Sequence, residues 1–198
     1  MGICVVRMTT EATRPAPGHP RRWAEALPAF PPPSGAAVAA LLAGVALLLR
    51  SERTHGFLAA AIHGADLVFH EAGHPLFGLL GWRFLTILGG TLLQLALPVA
   101  AAVAFWRRRQ AASLAVVLAW LGVNLVNVGQ YAADAQARAL PLLGADASGH
   151  DWWNMLRTLG LLEQCHAIGG ALAGLGWALQ VAAPAWAAAL WLRGRLQA

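Results

Sequence analysis

Long apolar runs closed by arginine leave this chain few ways to fold. AAVAALLAGVALLL, residues 36–49, ends at Arg50; a stretch from about Phe84 to Trp106 ends at Arg107-Arg108-Arg109; another, from about His166 to Leu192, ends at Arg193. Only 12% of the 198 residues are charged, against about 25% in soluble domains. A lipid-facing surface requires that deficit, because an ionised side chain costs several kcal/mol in hydrocarbon. The net charge of +5 comes entirely from arginine, since the chain has no lysine. These arginines sit singly or in short runs at segment ends, where they can snorkel to phospholipid headgroups. Nucleic-acid binding needs a contiguous basic face, and none is present, so the lipid bilayer is the expected partner. Cys4 and Cys165 form neither a disulfide framework nor a cysteine-based zinc site.

The pattern predicts an all-α integral membrane bundle of about five transmembrane helices. Residues 1–33, rich in proline and arginine, form a leader expected to be disordered or to lie on the membrane surface. Residues 34–198 form the transmembrane domain, with segments at Ser34–Leu49, about Gly56–Leu80, about Phe84–Trp106, Ala111 to about Leu140, and about His166–Leu192. A polar loop, Leu142–Asp151, leads to Trp152-Trp153 and a short amphipathic stretch. Trp82, Trp106, Trp152, Trp153, Trp186 and Trp191 fall near segment boundaries, as an interfacial aromatic belt requires.

The second segment carries His70-Glu71-Ala72-Gly73-His74 between DLVF and PLFGLL. Residues four apart on a helix share a face, so both imidazoles can reach one ion while Glu71 stands beside them. This is the H-E-x-x-H zinc arrangement: two histidine ligands, a glutamate general base, and a third ligand from elsewhere. Zinc lowers the pKa of bound water to about 7, and Glu71 would take the proton. Pro75 lacks an amide hydrogen and clashes with the Glu71 carbonyl, which predicts a kink or an end to the helix there.

FHEAGHPLFGLLGW followed by LGGTLLQLALP resembles the site-2-protease family of intramembrane zinc metalloproteases, in particular small bacterial members with H-E-x-G-H. The resemblance covers about a quarter of the chain. It implies a multi-helix membrane core, zinc as cofactor, His70 and His74 as ligands, Glu71 as general base, and hydrolysis of peptide bonds in membrane-protein or peptide substrates. It also implies a bacterial cytoplasmic membrane. The family's third ligand is an Asp in an Asn-Pro…Leu-Asp-Gly pattern; here the nearest equivalent is Asn124…Asn127…Asp134, followed by Ala135 and without proline. A membrane lipid amide or ester hydrolase uses the same chemistry, and a haem- or metal-binding subunit without enzymatic activity is a further alternative.

Topology places the remaining candidates at one end of the bundle. The second and fourth segments run in the same direction, so their C-terminal halves bring His70, Glu71 and His74 toward Asp134, His150, Asp151 and His166. His150 and Asp134 are the candidate third ligands, with Asp134 alternatively orienting a histidine or pairing with Arg138. Asp151 is expected chiefly to cap the following helix, and His166 to make a polar contact at a helix start. Asp66, one turn before His70, is placed either to orient a ligand histidine or to pair with His63. Gly89-Gly90 is expected to allow close helix packing, or else to offer a backbone edge to an extended substrate.

Overall fold

The computed structural model describes residues 30–142 and 149–197, and among these it is an all-α bundle. Its helices are α1 (Gly35–Arg53), α2 (Phe57–Gly78), α3 (Arg83–Arg107), α4 (Ala111–Ala133), α5 (Asp151–Leu159) and α6 (Cys165–Leu196), with a 3₁₀ turn at Leu162–Gln164 before the last. Four of these, α1, α3, α4 and the α6 segment, are long and apolar enough to cross a membrane, so the chain is a membrane protein by that measure. The expected number of spans was about five. The fifth long helix, α2, has the length but not the hydropathy, because His63, Asp66, His70, Glu71 and His74 all lie on it. Of the leader, residues 1–29 lie outside the described residues. Phe30 packs edge-on against Trp106 and Trp186, at 5.1 Å to each ring.

Local chemistry sets the helix limits. Ser34 caps α1 by accepting the Ala37 amide at 3.2 Å. Ser51 ties α1 to α2, accepting the Ala59 amide at 2.9 Å. The chain leaves α2 through Gly81 at φ +71°, a left-handed conformation suited to glycine. The helix does not end at Pro75 but continues through it to Gly78; the Glu71 carbonyl simply loses its usual donor. The fourth helix stops at Ala133 rather than near Leu140, because the Asp134 carboxylate accepts the amides of Ala139 and Leu140 at 3.0 Å each and turns the chain.

Helix α4 is the axis of the bundle, packed most extensively on α6, while α2 packs chiefly on α3. Without a hydrophobic drive between helices in lipid, small residues that let backbones approach supply the packing. At the α4–α6 crossing a Cβ on Gly129 would lie 2.6 Å from the Gly169 carbonyl oxygen. Gly129→Val should therefore overpack this crossing and cost about 1–3 kcal/mol. Gly170→Val, at a position with open space, is the control. Unfolding of the purified protein in SDS titrations reads the difference. The short helix α5 does not span. It lies across the end of the bundle, where Leu156 packs with Ala135 and Cys165.

Candidate metal centre

The α2 register puts the ligand atoms offered by His70, Glu71 and His74 within 4.8 Å of one another. His70 Nε2 lies 2.9 Å from Asp151 Oδ2, and His74 Nε2 lies 3.4 Å from the same oxygen. The opposite ring nitrogens are anchored by α3: His70 Nδ1 contacts Gln94 Oε1 at 3.1 Å, and His74 Nδ1 contacts the Thr86 carbonyl oxygen at 3.0 Å. A carbonyl can only accept, so His74 donates from Nδ1 and presents Nε2 to the site. Such anchoring is typical of metal-bound histidine.

Space at the ring nitrogens comes from the second glycine of Gly89-Gly90. A Cβ on Gly90 would stand 2.7 Å from His70 Nε2 and 2.8 Å from His74 Nε2, in the volume an ion needs. Gly73 meets Gly89 so closely that a Cβ there would collide with the Gly89 carbonyl. The glycines thus set the α2–α3 approach. Both Gly89 and Gly90 are buried inside continuous helix, so they present no free backbone edge to a substrate.

Of two neighbouring residues, His150 takes the capping role expected of Asp151. His150, not Asp151, caps α5, its Nδ1 accepting the Trp153 amide at 3.2 Å. Its Nε2 faces Asp134 Oδ2 at 3.3 Å, and its ring packs on Tyr131 at 4.2 Å, so both nitrogens are engaged away from His70 and His74. Burial lowers the His150 imidazole from its ordinary pKa despite the Asp134 carboxylate beside it, which fits a neutral ring that accepts at Nδ1 and donates at Nε2. Asp151 instead turns inward, and its amide donates to the Tyr131 hydroxyl at 3.0 Å. Burial pushes its carboxyl up, but the hydrogen bonds from His70 and His74 outweigh burial and hold it below the ordinary value. A depressed carboxylate pKa adds stability above the unfolded value, about 3.9, and loses it as pH falls through the folded one.

The other candidates lie elsewhere. Asp134 is committed to the loop amides and to His150. Asp66 does not orient His70: its Oδ1 accepts Trp120 Nε1 at 2.9 Å across to α4, and His63 acts on the same carboxyl through its charge. His166 is exposed in the first turn of α6 and does not line the cavity at the site, so it forms no facing pair with His70 of the kind that haem needs.

That cavity, about 710 Å³, is walled by Glu71, the two histidines, Asp151, Asn127 and Tyr131. Sequence reasoning did not assign orienting roles to Gln94, Thr86 or Tyr131. A glutamine inside an apolar helix is a readable signal for the first, whereas the Thr86 backbone carbonyl leaves none. Gln94→Ala should weaken binding of a divalent metal ion at this group about 10–100-fold, measured by competition with a chromophoric chelator. No protein-family model, curated protein or solved structure matches the chain.

Proposed function

We propose that this chain is a membrane-embedded zinc hydrolase, with His70, His74 and Asp151 as metal ligands and Glu71 as general base. The observation that carries the reading is the convergence of both histidine Nε2 atoms on one Asp151 oxygen, with Glu71 on the wall of the same cavity. Two imidazoles and one carboxylate match the donor set of catalytic zinc sites that keep a fourth position open. Zinc bound there supplies a water acidified to near neutral pH and a Lewis acid for the substrate carbonyl.

The remaining work falls to the chain. Glu71 is exposed, free to take the proton of the attacking water and return it to the leaving nitrogen. Gln94 and Thr86 hold the imidazoles in register. Tyr131 accepts the Asp151 amide and so fixes the ligand-bearing turn of α5.

The substrate we propose is a peptide bond within or beside a membrane segment, and the cytoplasmic membrane is the expected location. The resemblance carried by FHEAGHPLFGLLGW supports this reading. The test is reconstitution with a single-span fluorescent reporter. Zinc at one per chain, with cleavage stopped by a chelator and restored by zinc, is expected. A Soret band, or cleavage indifferent to chelation, would overturn the assignment; turnover of a fatty amide in place of the reporter would move the substrate to lipid.

A further inference from the structure

Two arginines from separate elements meet on one indole at the end of the bundle that carries the metal centre. The Arg138 guanidinium carbon lies 4.9 Å from the centre of the Trp153 ring, and that of Arg157 lies 4.7 Å from it. Both arginines are exposed. The pairing of Arg138 with Asp134 that their spacing suggests does not form, because the Asp134 carboxylate is taken by the Ala139 and Leu140 amides and by His150. Among the described residues every ion pair joins a histidine to an aspartate, so neither guanidinium has a carboxylate partner there. The indole orients the two cations but carries no net charge to neutralise them. The backbone fixes Arg138 in place: it is left-handed, at φ +49°, and its amide donates to the Asp134 carbonyl at 2.7 Å. Helix α5, which carries Arg157 and Trp153, lies between the end of one spanning helix, α4, and the start of another, α6. That is the membrane boundary, the level at which lipid phosphates stand and interfacial tryptophans gather.

We propose that Arg138 and Arg157, oriented by Trp153, form a binding site for the headgroup phosphate of an anionic phospholipid. Guanidinium groups hold phosphate oxygens through paired N–H donors. Two cations without a local acid select a lipid of net negative charge over a zwitterionic one, whose ammonium offsets its phosphate. The headgroup joins the loop whose Leu140, Pro141 and Leu142 wall the metal cavity to the helix that carries Asp151. The inference does not depend on zinc chemistry.

The probe is phosphatidylglycerol, titrated into the purified full-length protein in a non-ionic detergent and compared with phosphatidylcholine of the same acyl chains. Native mass spectrometry counts the bound lipids and gives the affinity of the first. The first phosphatidylglycerol is expected to bind about tenfold or more tighter than the first phosphatidylcholine, and Arg138→Gln and Arg157→Gln each to weaken it about fivefold. A double Arg107→Gln, Arg108→Gln variant, in the arginine run at the opposite end of the bundle, should leave that affinity unaltered. Equal binding of the two lipids, an affinity unchanged by Arg138→Gln and Arg157→Gln, or an equal loss in the Arg107, Arg108 variant overturns the proposal. Displacement of the lipid by millimolar inorganic phosphate would make this a free-phosphate site and overturn the lipid assignment. Should either single variant fail to fold, the other and the comparison of lipids decide the matter.

Discussion

Glu71→Gln should keep zinc at one per chain while lowering kcat by about 10²–10⁴-fold. The carboxylate and amide have nearly the same shape, so the substitution changes basicity and leaves packing untouched. Glu71 is exposed to the cavity, whereas Asp151, mostly buried, already meets both histidine Nε2 atoms. A residue that accepts a proton in the transition state affects kcat and leaves KM little changed. The measurement is reporter cleavage alongside metal content in the same preparation. Zinc lost together with activity would make Glu71 a ligand instead of a base, since its carboxylate lies within reach of an ion held by His70 and His74. Zinc kept with full activity would remove Glu71 from the reaction and leave a structural or transport site.

The helical fold and the core of the site were legible because both rest on short-range rules. Apolar runs closed by arginine marked the helices, and four-residue spacing put His70 and His74 on one face. Chain direction through successive helices was enough to bring Asp151 to the same end as the motif. The order of His150 and Asp151 was not legible. Both residues stand at the start of α5, where aspartate is by intrinsic preference the better cap. Tertiary contacts reversed that preference: the Tyr131 hydroxyl holds the Asp151 amide, and Asp134 holds the His150 ring. Asp66 misled for a related reason. Spacing placed it below His70, but a shared face does not fix a side chain's partner, and the Trp120 indole on α4 takes the Asp66 Oδ1. Five spans were expected because length alone qualified α2, although the same polar residues that make the site lower its hydropathy.

The contrast between these neighbours leads to the sharpest comparison. Asp151→Ala should weaken zinc binding by about 100-fold or more, beyond the range for orienting residues that do not touch the metal. It removes the one oxygen on which both Nε2 atoms converge, and Asp134 cannot replace it, because it is held by the Ala139 and Leu140 amides. His150→Ala should act differently. It deletes a helix cap, which costs about 1 kcal/mol, and empties a fully buried ring position against Tyr131. The expected result is a lower unfolding midpoint with zinc affinity within about tenfold of the parent, the smaller loss reflecting a looser α5 and a less firmly held Asp151. His150→Asn separates the two effects, because asparagine caps about as well as any residue but offers no imidazole. If it restores the midpoint and zinc affinity together, His150 acts through the cap. If it restores the midpoint but zinc stays lost, the imidazole belongs in the coordination shell and the convergence on Asp151 is not the metal site.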